Sequence, residues 1–126
     1  MSVETIMSEA APPPGGYYAH AVARGAVVMT AGQVGLDPVT GRVPEGVGDQ
    51  TKQALANIAA VLAEAGLGLE DVLKTTCFLA DLDDFPVFDA AYREVFGEHR
   101  PARSTVGVRL APAYGVEIEA VAVRPE

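Results

Sequence analysis

The last third of the chain alternates between apolar and polar residues with the period of a β-strand. From residue 106 to residue 110 every second residue is apolar, and the same pattern recurs from residue 116 to residue 122. Because successive side chains of a strand point to opposite faces of a sheet, each stretch predicts a strand with one apolar face. A turn containing Pro112 and Gly115 lies between them and predicts a hairpin. Such a hairpin needs a second layer over its apolar face.

Two helical patterns provide that second layer. Residues 49–65 carry apolar residues at helical spacing, with Asp49 placed to cap the start of the helix and Gly66 to cap its end. A second pattern begins at Asp84 and ends at Gly97, with its apolar residues on one side. Neither helix has a second apolar stripe, so both are expected to cover the same face of one sheet.

The remaining strands complete a single sheet. Residues 18–31 predict two short strands joined by a tight turn, and residues 72–82 predict a strand with both faces covered. The order of elements predicts an α+β fold: a two-layer sandwich of a mixed six-stranded sheet with two helices on one face. The uncovered face keeps apolar residues, notably Val121 and Val123, and we expect it to meet another subunit.

The length of 126 residues suits one domain. Residues 1–14 end in a run of three prolines and predict a loose N-terminal tail, which leaves residues 15–126 as the single domain. The tail lacks the apolar core of a signal peptide, and no segment approaches the ~18 apolar residues of a membrane span. Cys77 is the only cysteine, which excludes an intrachain disulfide. We therefore expect a cytoplasmic protein without a membrane partner.

Charge and motifs exclude several classes of function. Nine basic residues against seventeen acidic ones give a net charge of −8, whose average field repels a phosphate backbone, so no nucleic-acid partner is expected. His20 and His99 lack the spacing of a metal site, and the chain has no P-loop, dinucleotide fingerprint or G-x-S-x-G motif. Cys77 lies within an apolar strand and is expected to be buried and unreactive.

Three positions could carry chemistry. Arg103 opens a strand beside Pro101, and a guanidinium binds a carboxylate through two parallel hydrogen bonds; the alternative is an exposed arginine at a strand start. Glu117 and Glu119 share one strand face, where one could orient a water or move a proton; the alternative is that both are solvated. Gly32 leaves its backbone open to a ligand, although any turn could use such a glycine.

Five spaced segments occur together and in order. They are Gly16–Val22, Thr30–Gln33, Lys74–Thr76, Pro101–Ser104 and Val116–Ala120. Taken together they resemble the reactive-intermediate deaminase family, also known as Rid, YjgF-like, endoribonuclease L-PSP or translation-inhibitor proteins. The resemblance runs from about residue 15 to the C terminus. It implies a chorismate-mutase-like fold and a homotrimer whose sheets pack into a central barrel, with three ligand clefts between subunits.

The resemblance also implies an activity. Deaminases of this family hydrolyse reactive imines and enamines, such as 2-aminoacrylate and its imine, to 2-keto acids and ammonia, and they use neither a metal nor an organic cofactor. The alternative is a trimeric protein that binds small ligands in the same cleft without turnover. Ribonuclease activity is suggested by the family label alone, and the acidic composition argues against it.

The implied roles fall on matching positions of this chain. Arg103 would bind the substrate carboxylate, and Glu117 would align the attacking water, with Glu119 as the second candidate. Tyr18 would close the pocket from the adjoining subunit. The residues implied to line the same cleft are Ala31, Gly32, Asp89 and Thr105.

Four positions depart from the deaminase pattern of the family. Tyr17 stands in place of a proline, Ala31 of a serine, Thr105 of a cysteine and Asp89 of an asparagine. Asp89 matters most, because a second carboxylate facing the cleft would repel an anionic substrate. The alternative is that Asp89 turns to solvent on its helix, since the sequence fixes the phase of a helix only to within about one residue.

Overall fold

One mixed sheet and two α-helices make up the part of the chain that the computed structural model describes, residues 2–125. The strands are β1 (Glu4–Ile6), β2 (Ala21–Arg24), β3 (Val27–Thr30), β4 (Gln33–Val34), β5 (Val72–Leu79), β6 (Ala102–Gly107) and β7 (Val116–Val123). The helices are α1 (Val47–Ala63) and α2 (Phe85–Phe96). The predicted α+β architecture is confirmed, but the sheet has seven strands, one more than expected.

The last strand lies inside the sheet. The strand order is β1-β2-β3-β7-β5-β6, and β4 also pairs with β7. β5 is antiparallel to β7 and parallel to β6, so the predicted hairpin between β6 and β7 is wrong. The reason is that α2 forms the crossover that a parallel pair requires and carries β6 to the far side of β5. Alternation in a sequence shows which face a strand buries and does not identify its neighbours.

The N-terminal residues belong to the sheet. β1 pairs with β2, and Ile6 is buried at 4% exposure. The backbone N–H of Ser8 donates to Nδ1 of His20 at 2.9 Å, and Nε2 of His20 lies 2.7 Å from the carbonyl oxygen of Pro12. The predicted loose tail over residues 1–14 is therefore wrong, because prolines restrict only their own positions and leave residues 4–6 free to pair. Met1 and Glu126 lie outside the described residues.

The helix boundaries largely follow the predicted signals. α1 begins at Val47, so Asp49 lies in its first turn, where it interacts favourably with the helix dipole, and is not the cap. Gly66 has a φ of 75° and ends the helix region as predicted. α2 has Asp84 at its N-cap and is closed by Gly97, whose φ is 66°.

The two helices bury one face of the sheet. The buried residues of β7 are Val116, Ile118, Ala120 and Ala122, as the alternation predicts. β5 was expected to be covered on both faces, but its burial alternates, and Leu73 is exposed at an irregularity in its pairing with β7. In β6, Val106 is exposed and does not belong to a buried apolar face, because the other side of that strand faces α2.

The second face of the sheet is apolar and open within this chain. Val22 pairs in register with Met29, and Met29 pairs with Val121, which places the three side chains in one row. Val22 and Met29 are 41% and 51% exposed. Val27 and Val123 form a second pair beside them. We refer to these five residues as the outer apolar face.

Candidate active site

The predicted site residues fall into two groups on opposite faces of the sheet. Arg103 pairs in register with Thr75, which is buried beneath the helices, so Arg103 lies on the helix side. Glu117 lies between the buried residues Val116 and Ile118 and therefore points to the opposite face. A single chain thus does not bring Arg103 and Glu117 together.

Aromatic rings of α2 hold the guanidinium of Arg103. Its central carbon lies 5.4 Å, 5.2 Å and 4.7 Å from the ring centroids of Phe85, Phe88 and Tyr92. The negative face of an aromatic ring attracts a cation at these distances. The side chain of Arg103 is only 21% exposed, so it is not the solvent-exposed arginine of the alternative interpretation.

Asp89 faces Arg103 and not bulk solvent. Nη1 of Arg103 donates to Oδ1 of Asp89 at 2.8 Å. The helix phase explains this orientation, because Asp89 lies between Phe85 and Tyr92 on neighbouring turns of α2, and all three point toward β6. Of the two orientations of Asp89 that the sequence left open, the structure therefore has the one that faces the Arg103 site.

A cavity of about 530 Å³ opens beside this ion pair. Its lining residues are Asp89, Tyr92, Arg93, Phe96, Gly97, His99, Arg100, Pro101 and Arg103. The lining includes three arginines and one carboxylate, so the cavity is positively charged although the chain as a whole is acidic. Such a place attracts small anions.

The second group gathers around a β-bulge. Met29 pairs with Val121 and Gln33 pairs with Ile118, so residues 30–32 stand opposite residues 119–120. The extra residue lies in the connection between β3 and β4, which contains Ala31 and Gly32. The hydroxyl of Thr30 accepts the N–H of Ala120 at 3.0 Å and so replaces a ladder hydrogen bond.

Gly32 makes room for the carboxylate of Glu117. A Cβ at residue 32 would collide with the side chain of Glu117, so only glycine allows this position of the carboxylate. Burial, and then the charge of Glu119, raise the pKa of Glu117 above its usual value. A raised pKa makes this carboxylate a stronger base than an ordinary glutamate, which suits it to accept a proton from a water.

Tyr18 lies in the same cleft as Gly32 and Glu117. The cleft has a volume of about 320 Å³. The residues that sequence reasoning missed among its lining are Pro12, Pro13, Gly15, His20, Gln33, Val34, Leu36, Leu110, Ala111 and Tyr114. The hydroxyl of Tyr18 accepts the N–H of Gly15 at 3.0 Å, which ties the N-terminal segment to the cleft. The proline run was itself a signal for Pro12 and Pro13, because prolines stiffen the chain, whereas no local pattern places the other residues at the cleft.

Comparison with known proteins identifies the family. A family model described as Endoribonuclease L-PSP matches residues 8–124. This chain belongs to the endoribonuclease L-PSP family. The resemblance seen in the five sequence segments is thereby confirmed, and the match includes residues 8–14, which the structure also packs against the domain.

Relatives of this L-PSP family member match it over nearly their whole length. The 2-iminobutanoate/2-iminopropanoate deaminase of Salmonella typhimurium is 46% identical over 125 residues, covering 96% of this chain and 98% of that protein. A RutC family protein of Pyrococcus abyssi is 44% identical, covering 98% and 99%. The crystal structure of the YjgF gene product of E. coli has a TM-score of 0.92 at 44% identity, covering 97% and 99%.

Another predicted position of the L-PSP chain, Thr105, lies apart from Glu117. Thr105 pairs in register with Cys77 on the helix side of the sheet, the side of Arg103. Cys77 is buried, and burial raises its pKa to about 11, which confirms the prediction of an unreactive thiol. Ala31 lies in the bulge, and its N–H donates to the carbonyl oxygen of His20 at 2.9 Å.

The histidines of this family member serve its structure. Both ring nitrogens of His20 are engaged within the fold, and Nε2 of His99 lies 2.8 Å from the carbonyl oxygen of Val72. Among residues 2–125, no three side chains of the His, Cys, Asp or Glu type come close enough together to hold a metal ion. Within the same residues, no helix is both long and apolar enough to cross a membrane.

Proposed function

We propose that this protein is an imine deaminase that hydrolyses 2-imino acids to 2-keto acids and ammonia. The overall reaction is R–C(=NH)–COO⁻ + H₂O → R–C(=O)–COO⁻ + NH₃. The observation that carries the proposal is the guanidinium of Arg103, fixed over three aromatic rings beside a positively charged cavity. A guanidinium so placed is suited to a planar carboxylate. Relatives named 2-iminobutanoate/2-iminopropanoate deaminase at 44% to 46% identity support the same reaction.

The complete site requires more than one copy of the chain. Arg103 and Glu117 point to opposite faces of the sheet, so a substrate that touches both must lie between two subunits. We propose a homotrimer in which Arg103 of one subunit meets Glu117, Gly32 and Tyr18 of its neighbour. Two features support this arrangement: β6 is an edge strand, and the outer apolar face is open. An exposed apolar face of this kind commonly marks an interface between subunits.

The chemistry then needs only positioning and one proton carrier. The substrate carboxylate binds Arg103, and the carboxylate of Glu117 takes a proton from a water as the water oxygen attacks the imine carbon. Glu117 gives this proton to the imine nitrogen, which yields a carbinolamine. Glu117 then takes the hydroxyl proton and passes it to the amino nitrogen, so that the carbon–nitrogen bond breaks and ammonia leaves as the carbonyl forms. The raised pKa of Glu117 allows that group both to accept and to return the proton.

Turnover of an unstable imine tests this function directly. 2-Iminopropanoate is generated in the assay by an amino-acid oxidase, and ammonia release is followed with and without this protein. We expect faster release than the spontaneous hydrolysis, with heat-denatured protein as the control. Release at the spontaneous rate, together with saturable binding of 2-oxobutanoate, would identify a ligand-binding protein instead.

A further inference from the structure

We infer that Asp89 is a specificity-determining residue, which shifts the preference of the site away from singly negative 2-keto acids and toward zwitterionic 2-iminium acids. The inference rests on the proposed function, because it concerns which ligand the Arg103 site accepts. In this chain Arg103 is already paired with a carboxylate before any ligand arrives. The incoming ligand therefore meets an ion pair and not a free cation.

The geometry leaves room for a second carboxylate. Asp89 engages Nη1 of Arg103 at 2.8 Å, and a guanidinium has five N–H donors arranged around its plane. The side chains of Arg103 and Asp89 are 21% and 36% exposed, so ligand and solvent reach the pair from the cavity side. A ligand carboxylate can thus bind another edge of the same guanidinium while Asp89 stays in place.

Charge decides which ligand is accepted. Arg103 and Asp89 together carry no net charge, so a 2-keto acid adds one negative charge next to the carboxylate of Asp89. A 2-iminium acid carries a positive nitrogen as well as its carboxylate, and it adds no net charge. Repulsion between neighbouring carboxylates is only partly screened in a half-buried cavity. Asp89 therefore weakens the binding of the keto acid more than that of the zwitterion.

The other charges of the cavity do not remove this difference. Arg93 and Arg100 line the same cavity and attract the anion more than the zwitterion, but they do so equally in the wild type and in Asp89→Asn. An asparagine at residue 89 would keep the shape of the side chain and its hydrogen bond to Arg103 while removing its charge. The contrast between aspartate and asparagine thus isolates the charge. The protonated imine is the better electrophile, and the keto acid is the product that must leave. The charge of Asp89 therefore disfavours the product relative to the reactive form of the substrate.

The test is a binding comparison of two ligands with the same carbon skeleton. Isothermal titration measures 2-oxobutanoate, an anion, and L-2-aminobutanoate, a stable zwitterion, on the wild type and on Asp89→Asn. We expect the Kd of 2-oxobutanoate to fall roughly tenfold in Asp89→Asn and that of L-2-aminobutanoate to change less than about twofold. The matched control is Glu94→Gln, which removes a carboxylate from the same helix outside the cavity and should change neither Kd.

Several results would overturn the inference. A wild type that binds 2-oxobutanoate but not L-2-aminobutanoate contradicts it, as do equal changes in both Kd values, which would make Asp89 only a positioning residue for Arg103. Asp89→Ser gives the same comparison should Asp89→Asn not fold. Loss of 2-oxobutanoate binding in Arg103→Ala supports the inference by showing that the ligand binds at the Arg103 site, and unchanged binding in this variant overturns it. If the wild type and both Asp89 variants bind neither ligand, this inference fails; the proposed function fails only if ammonia release from 2-iminopropanoate is not accelerated.

Discussion

At the scale of single residues, the sequence indicated which side chains could carry chemistry better than it indicated which side chains they contact. The guanidinium of Arg103 and the carboxylate of Glu117 were selected as candidate site residues from residue chemistry and the family resemblance. The ion pair with Asp89 was not, because it depends on the rotation of α2 against β6, which no local pattern encodes. Cys77 was placed correctly because its apolar neighbours alone fix its burial.

Replacement of Arg103 tests its role in binding. We expect Arg103→Ala to abolish deaminase activity, because the substrate carboxylate loses its partner, while the free energy of unfolding changes by no more than ~1 kcal/mol. Ammonia release and denaturant unfolding measure the two effects. Arg109→Ala removes an arginine just beyond β6 and should leave both values unchanged. Parallel loss of activity and folding would instead make Arg103 a structural residue.

The raised pKa of Glu117 predicts a pH dependence with a definite sign. The folded state holds the proton of Glu117 more tightly than the unfolded state does, so stability contributed by this group is lost as pH rises above its usual pKa of 4.5. Glu117→Gln should therefore raise the Tm at neutral pH and leave it unchanged at acid pH below that value. Activity should disappear in this variant, because the proton carrier is gone.

The activity of the wild type checks the same group independently. We expect kcat/KM to rise with pH as Glu117 loses its proton, with a midpoint above 4.5. A midpoint at or below that value, or a Tm of Glu117→Gln that falls at neutral pH, would contradict the half-buried, proton-accepting carboxylate.

At the scale of elements, helices were predicted better than strand neighbours. α2 begins and ends where its aspartate and glycine signals indicate, since a helix is stabilised by local hydrogen bonds. The pairing of β6 with β5 and the joining of β1 to the sheet depend on contacts distant in sequence. Local alternation predicted the buried face of β7 but assigned β6 to the wrong neighbour.

The N-terminal strand gives an element-scale prediction. Ile6→Ala should lower the free energy of unfolding by about 2 kcal/mol, because it removes a buried side chain and leaves a cavity at the end of β1. Val3→Ala, at an exposed position just before the strand, should have almost no effect. Urea unfolding monitored by circular dichroism measures both. Equal, negligible effects would restore the interpretation of residues 1–14 as a loose tail.

The bulge between β3 and β4 gives a second prediction at the scale of elements. Gly32→Ala should strongly reduce kcat, because the added Cβ displaces the carboxylate of Glu117 from its position. Gly15→Ala lines the same cleft but adds its Cβ where no atom lies within 4 Å, and it should retain activity. Comparable rates in the two variants would show that the position of Glu117 against the bulge is unimportant for turnover.

At the scale of the whole molecule, the sequence indicated an uncovered apolar face but could not give the geometry of an assembly. That face is present as the row formed by Val22, Met29 and Val121. Which residues meet across it depends on the shape of two complete surfaces. The separation of Arg103 from Glu117 could not be predicted from the sequence, because it follows from the register of β6 and β7 against β5, which places Arg103 opposite the buried Thr75 and Glu117 opposite Phe78.

A mixing experiment tests the shared cleft. Arg103→Ala and Glu117→Gln should each be inactive alone, yet equal amounts refolded together should recover about a quarter of the wild-type activity, since random association completes that share of clefts. Sedimentation should give trimers for the wild type and monomers for Met29→Asp, whose charge lies on the outer apolar face. No recovery in folded, mixed trimers would show that both residues act within one subunit.

The shortness of β1 has a consequence for solubility. A sheet can grow into fibrils when both of its borders accept further chains, and here one border is a strand of three residues followed by prolines that cannot donate to a neighbour. Glu4 on that strand also keeps a charge there, paired with Arg124 at 3.3 Å. New chains are thus hindered from pairing with β1, which leaves the other edge strand, β6, as the one through which copies could polymerise.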